Sequence, residues 1–376
     1  MFDTGKKRLL ALDGGGILGV ISLGALRKIE SDLRTASGKN NLRLRDFFDY
    51  IGGTSTGAII ASGLALGMTV DEIEEIYLDE GELIFDRRSW TNRIASGLRS
   101  SYDHKKLSQR LKEKFTDGTI QELQAKGHLA RDKHLLVVTR NINTDSPWPI
   151  TTNPKAKYND LARADCNLRI PLWQLVRAST AAPTFFAPER LQWDPSDPDK
   201  QSHFEDGGVT PYNNPSALLF RMATAPAYRC NWAVGEDKMM LVSVGTGYAY
   251  RALETPDPRG EWLGTTARTI PSELMRGIAV ENDISCRMLG RCVAGQALDR
   301  EIGDLIDDQP DIPKHFCYAR FDIDTSQSSL DELGLSHIDS GLLTLDNAKA
   351  ALHMKEIGTK LGDQVDMETQ FGDFLK

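Results

Sequence analysis

The stretch LLALDGGGILGVISLGALRKIE, Leu9 to Glu30, decides the fold. An apolar run enters a cluster of glycines and a helical pattern leaves it, which is the strand–turn–helix unit of an α/β protein. Lys7 to Asp13 is expected as a short buried strand, and about Ile21 to Arg34 as the helix that follows. The Gly14-x-Gly16-x-x-Gly19 between them admits two readings. As a dinucleotide-binding turn it would rest a pyrophosphate on the helix N-terminus. As an oxyanion hole it would aim backbone N–H groups at charge that develops during a reaction.

Outward from this unit the pattern repeats. FFDYIGG (Phe47 to Gly53) is a short apolar run, and TSTGAIIASGLALGM continues as a helix that Gly67 closes. Thr69-x-x-Glu72 reads as a capping box for VDEIEEIYLDE. YDHKKLSQRLKEKF (Tyr102 to Phe115) has the charge distribution of an amphipathic surface helix. HLLVVTRNI (His134 to Ile142) is continuous and β-rich, PLWQLVRASTAAPTFF is expected to be helical up to Pro183, and HFEDGG and MMLVSVGTG are expected as short strands ending at glycines. WDPSDPDKQS and ETPDPRGEW read as loops, and beyond Trp262 the pattern is mostly helical. Strands alternating with helices predict an α/β fold with a largely parallel sheet.

The chain has 376 residues and a formal net charge of −8, which argues against a nucleic-acid polymer as partner, because phosphate contacts dominate that affinity. Its five cysteines are scattered, without C-x-x-C spacing, and read as reduced structural thiols. There is no metal-ligand spacing, so neither a metal nor another cofactor is expected. No apolar run is long enough to span a membrane, and the N-terminus lacks the pattern of a secretory signal, so the expected location is cytoplasmic.

Two clusters carry chemistry. Gly53-Thr54-Ser55-Thr56-Gly57 is a G-x-S-x-G placed between an apolar run and a helix, the context of a nucleophile elbow, where the Thr56 N–H and the helix dipole would face a reacting carbonyl. Asp206-Gly207-Gly208 places a carboxylate at the end of a short strand, where α/β proteins build their sites. Taken singly, the first also reads as a helix cap and the second as an ordinary Asp-Gly turn. A serine nucleophile needs a base, but none of the seven histidines sits in a motif; His203 is merely three residues before Asp206. A carboxylate could take the proton itself if burial raised its pKa.

DGGG…G at 13 to 19, GTSTG at 53 to 57, ASTAAPTFFAP at 178 to 188 and DGGVTPYNNPSALL at 206 to 219 occur in the order and context of the patatin-like phospholipases, and YDHKKLSQRLKEKF resembles a further stretch of that family. The resemblance covers roughly residues 6 to 219. It implies a catalytic core over 6–219; from the pattern of the chain, 220–376 is expected to add a strand and mainly helical structure packed on the same core. It also implies a three-layer fold with a central, mostly parallel sheet between helices. It assigns Ser55 as nucleophile, Asp206 as base without a catalytic histidine, and Gly14, Gly15 and Gly16 to the oxyanion hole, and it implies hydrolysis of phospholipid esters. Where the family loop commonly reads DGGG-x-R-G, this chain has Leu18 in place of the arginine.

Two further expectations concern partners. Residues 87 to 114 carry nine Lys/Arg (among them Arg87, Arg88, Arg93, Arg99, Lys105, Lys106 and Arg110) against Asp103 and Glu113, with Trp90 and Tyr102 interleaved. Such a patch could dock peripherally on anionic lipid; its plainer reading is a solvated helix face plus a loop. The chain also resembles patatin-like effectors that cyclic nucleotides switch on in anti-phage defence, which adds a cyclic nucleotide activator to the expected partners. The competing functions are a nucleotide-binding oxidoreductase and a non-catalytic lipid-binding module. The first would want an acidic residue at the end of a second strand about 20 residues on, where RTASGKNN stands instead.

Overall fold

The computed structural model describes residues 5–85, 101–183, 186–192, 197, 199–249, 263–299 and 301–376. Arg87, Arg88, Trp90, Arg93 and Arg99 of the basic stretch and most of the two proline-rich loops lie outside them.

The strands are β1 (Lys7–Leu12), β2 (Tyr50–Thr54), β3 (His134–Asn141), β4 (Ser146–Thr151), β5 (Glu189–Gln192), β6 (Gln201–Asp206), β7 (Met239–Val244), β8 (Arg291–Ala294) and β9 (Cys317–Phe321). They form one nine-stranded sheet in the order β5-β6-β3-β2-β1-β7-β9-β8, with β4 also on β3. From β3 to β8 every pairing is parallel; β4, β5 and β6 run antiparallel to their neighbours. The main helices are α1 (Gly19–Ser37), α2 (Thr56–Leu66), α3 (Val70–Phe85), α4 (Ser101–Phe115), α5 (Leu172–Ser179), α6 (Ser216–Thr224), α7 (Leu263–Leu289) and α8 (Ala351–Gly362).

Side-chain alternation along β1 sorts the helices into layers. Leu10 and Leu12 belong to one core, which α1, α2, α3, α5 and α8 cover; Leu9 and Ala11 belong to a second core on the other face, which α6 and the C-terminal end of α7 cover. The result is the expected three-layer α/β architecture. Because β1 is covered on both faces and paired on both edges, it reads as a continuous apolar run rather than an alternating one.

Several boundaries differ from expectation. Phe47 ends a short helix, Leu44–Phe47, before β2 begins. α5 stops at Ser179 rather than Pro183: Thr180 already lies outside the helical region, and the Ala181 carbonyl is taken by the Asp206 N–H of β6. The segment after residue 219 supplies three strands, β7, β8 and β9, where one was expected, and so completes the same sheet.

The register on β3 positions the site. β4 pairs Leu136–Asn141 along one edge. On the other edge β2 pairs His134 to Val138, and β6, running the opposite way, pairs Thr139 to Asn141. β2 and β6 therefore meet end to end on one strand edge, with Thr54 opposite Val138 and Asp206 opposite Thr139.

Candidate active site

Ser55 follows β2 and precedes α2, with φ of 54° and ψ of −120°. That backbone conformation costs an L residue about 1–3 kcal/mol and lifts the side chain off the strand end. The flanking glycines make the turn possible by close approach. A Cβ on Gly57 would stand 2.2 Å from the Leu12 carbonyl oxygen, and one on Gly53 would stand 2.0 Å from the Gly57 carbonyl oxygen. The Ser55 N–H donates to Ser179 Oγ at 2.9 Å, and that hydroxyl donates to the Val138 carbonyl at 2.7 Å. Ser179, within the ASTAAP stretch, thus ties the elbow to β3.

The end-to-end junction brings the two predicted residues into contact. Ser55 Oγ donates to Asp206 Oδ2 at 2.6 Å, and the other oxygen of Asp206 accepts the Gly208 N–H at 2.7 Å. Both side chains are buried. Burial pushes the Asp206 carboxyl up to about 6, against the Ser55 and Gly208 hydrogen bonds and the Arg177 charge, which all pull it down. Arg177 is itself fully buried, stacked over Phe186, and its Nε and Nη1 have no hydrogen-bond partner among the described residues. Its place behind Asp206 was not read from the sequence, although it stands one residue before the motif that contains Ser179. His203 is exposed, and its backbone N–H donates to the Asn143 side chain. His134 is held neutral, burial lowering it to about 4.

The glycine turn runs alongside Ser55: a Cβ on Gly14 would lie 3.3 Å from the Ser55 Cβ. Of the three glycines expected to offer N–H groups, Gly14 donates its own to the Asn213 carbonyl at 3.0 Å, and Asn213 Nδ2 donates back to the Gly14 carbonyl at 3.3 Å. The N–H groups of Gly15, Gly16 and Thr56 have no acceptor among the described residues. Gly16 sits at φ of 58°, and a Cβ there would stand 2.2 Å from the Leu345 carbonyl oxygen. Leu18 caps the turn, half-buried against the α1-side core.

Asp13 does not face the site as a free carboxylate. Arg320 donates to both its oxygens, at 3.0 and 2.7 Å, and also to Ser243 and Asp322. Burial pushes the Asp13 carboxyl up to about 7 while the guanidinium pulls it down. In the basic stretch, Arg110 pairs with Glu113 and Lys112 with Asp117, as on a solvated helix face. No helix among the described residues is long and apolar enough to cross a membrane.

Comparison with known proteins gives a consistent picture. A protein named cGAMP-activated phospholipase from Vibrio cholerae serotype O1 is 30% identical over 221 residues, 56% of this chain and 56% of its own length. One of the same name from Escherichia coli (strain TW11681) is 30% identical over 269 residues, covering 70% of this chain and 68% of its own. Patatin-T5 of Solanum tuberosum is 27% identical over 252 residues, 64% of this chain and 60% of its own. The match thus takes in only a little over half the length of the Vibrio and Solanum relatives. The sequence model described as patatin-like phospholipase matches residues 10–220, which span the glycine turn, the serine elbow and the Asp206 turn. With that match over more than half of its length, the chain belongs to the patatin-like phospholipase family.

Proposed function

We propose that the chain is a lipid acyl hydrolase that cleaves carboxylic ester bonds of phospholipids with a Ser55–Asp206 dyad. The observation that carries the reading is the 2.6 Å hydrogen bond from the Ser55 hydroxyl, on a strained backbone turn, to a buried carboxylate. Asp206 takes the hydroxyl proton as Oγ attacks the ester carbonyl. The resulting oxyanion is met by the N–H groups of Gly15, Gly16 and Thr56, each such donor worth about 3 kcal/mol, while Gly14 is occupied in holding the turn. The proton passes from Asp206 to the departing alkoxide. Water then gives a proton to Asp206 and attacks the acyl-Ser55 ester; Asp206 passes that proton to Ser55 Oγ as it leaves, releasing the fatty acid and restoring the dyad. Family membership favours this use of the glycine turn over a dinucleotide site, and the serine–aspartate contact favours an enzyme over a lipid-binding module. In Ser55→Ala and Asp206→Asn, hydrolysis of phospholipid vesicles followed by product mass spectrometry is expected to fall by about a thousandfold or more. Near-normal turnover by purified Ser55→Ala protein would sink the assignment.

Regulation by a cyclic nucleotide in antiviral defence is part of the proposal, supported by the names of the Vibrio and Escherichia relatives. Peripheral attachment to anionic membrane through residues 87 to 114 rests on sequence charge. Lipase assays with a panel of cyclic dinucleotides test the first; sedimentation with anionic vesicles, expected to weaken with salt, tests the second.

A further inference from the structure

At the end of β3 opposite to Ser55 and Asp206, a surface cavity of about 820 Å³ opens between the loop after β4, the loop after α6 and the short helix Ile120–Ala125. That volume lies within the range of small-molecule sites, roughly 300–1,000 Å³. Arg131, Lys155 and Arg229 line it, and none of the three has an ion-pair partner among the described residues. Arg229 donates instead to the Lys155 backbone carbonyl at 3.2 Å, which joins two of the cationic segments. The carboxylate in the lining, Asp160, already accepts the Ala162 N–H. On a chain with net charge −8, three cations against the one carboxylate of the same lining are the feature to be explained.

Asn159 also lines the cavity and is only 2% exposed. Its side-chain nitrogen donates to the Thr151 and Asn153 carbonyls, but its Oδ1 has no donor among the described residues. That Oδ1 is closed off from solvent, so it belongs to the packing of the cavity wall rather than to its open face.

We propose that this cavity binds a small phosphate-bearing molecule, its phosphate held by Arg131, Lys155 and Arg229. Guanidinium groups match phosphate geometry, and no ion pair among the described residues has to be broken to receive it. The chemistry is shared by a cyclic dinucleotide, the activator class proposed above, and by a phosphoglycerol lipid headgroup. The site stands on its own geometry rather than on the hydrolase reading, so binding should be the same in Ser55→Ala protein as in wild type.

The test is calorimetric titration of the full chain with cyclic GMP–AMP in one arm and glycerophosphoglycerol in the other. Saturable binding in either arm is expected, and which arm binds identifies the source. In Arg131→Ala/Arg229→Ala, with melting temperature checked against wild type, affinity should fall about tenfold or more and lose part of its salt dependence. A second readout is chemical. Cys230 lines the cavity and is half-buried, whereas Cys166, Cys286, Cys292 and Cys317 are buried, so bound ligand should slow maleimide alkylation of Cys230 selectively. No saturation by about 1 mM of either probe, equal affinity in the double variant, or Cys230 alkylation unchanged at saturation would each overturn the proposal.

Discussion

Burial holds the Asp206 carboxyl at about 6, within reach of both protonation states near neutral pH, and that single value has two consequences. In its proposed role as base Asp206 must be ionised to accept a proton, so kcat/KM on a soluble ester should decline as pH falls through about 6. Arg177 draws Asp206 down; Arg177→Met should therefore move this acid limb upward, which a pH–rate profile measures. The second consequence concerns stability. Because the folded-state value lies above the ordinary 3.8, the folded protein binds this proton more tightly than the unfolded chain does. Its contribution is fully present below 3.8 and is lost as pH rises to about 6, at a cost of roughly 3 kcal/mol by linkage at neutral pH. Asp206→Asn should abolish activity yet raise the melting temperature at pH 7.5, an advantage that disappears near pH 4. Ser55 and Asp206 were legible because each lies inside a short glycine-flanked signature. The clamp on Asp13 was not: Arg320 is 307 residues away, and nothing local to either residue announces the pair.

At the level of elements, glycines with the same chemistry serve different ends. α1 and α8 cross in backbone contact, and a Cβ on Gly24 would lie 1.7 Å from the Gly358 carbonyl oxygen. Gly38 closes α1 in the left-handed region at φ of 66°, with nothing within 4 Å of a built Cβ. Gly24→Ala should cost about 3 kcal/mol or more in urea unfolding, since both helices must move apart, whereas Gly38→Ala should cost only about 1–2 kcal/mol of backbone strain. Comparable losses at the two sites would refute the distinction. The sequence shows a glycine in each place but not the crossing, which depends on a partner helix more than 300 residues downstream. β4 escaped notice for a different reason. SPWPIT carries Pro147 and Pro149, which ordinarily argue against a strand. Among the described residues β4 pairs only with β3, so a missing N–H on its far edge breaks no ladder bond. β8 and β9 lie in a region of helical pattern, and only the open edge of β7 gives them a place.

On the scale of the whole molecule, the region that carries the family signature leans on the rest. β7 covers one edge of β1, Leu345 accepts the Ile17 N–H, a Cβ on Gly15 would lie 2.2 Å from Thr246 Oγ1, and Arg320 neutralises Asp13. A chain cut after residue 230 keeps the matched segment but strips one edge of the central strand and leaves a buried carboxylate without its partner. It should be insoluble or lack cooperative unfolding, as a soluble-fraction assay and thermal melting will show.

The end-to-end meeting of β2 and β6 on β3 has one more effect. Neighbouring register positions of a single strand set the spacing of Ser55 and Asp206, so parting them would mean tearing the middle of a nine-stranded sheet. An effector with a few kcal/mol to spend cannot do that. On the proposed reading the Ser55–Asp206 pair is permanently cocked, and the proposed control falls on how a lipid tail reaches it. A short aryl ester small enough to diffuse in should be hydrolysed at the same rate with and without activator, while phospholipid turnover changes; parallel stimulation of both substrates would place the switch in the dyad itself.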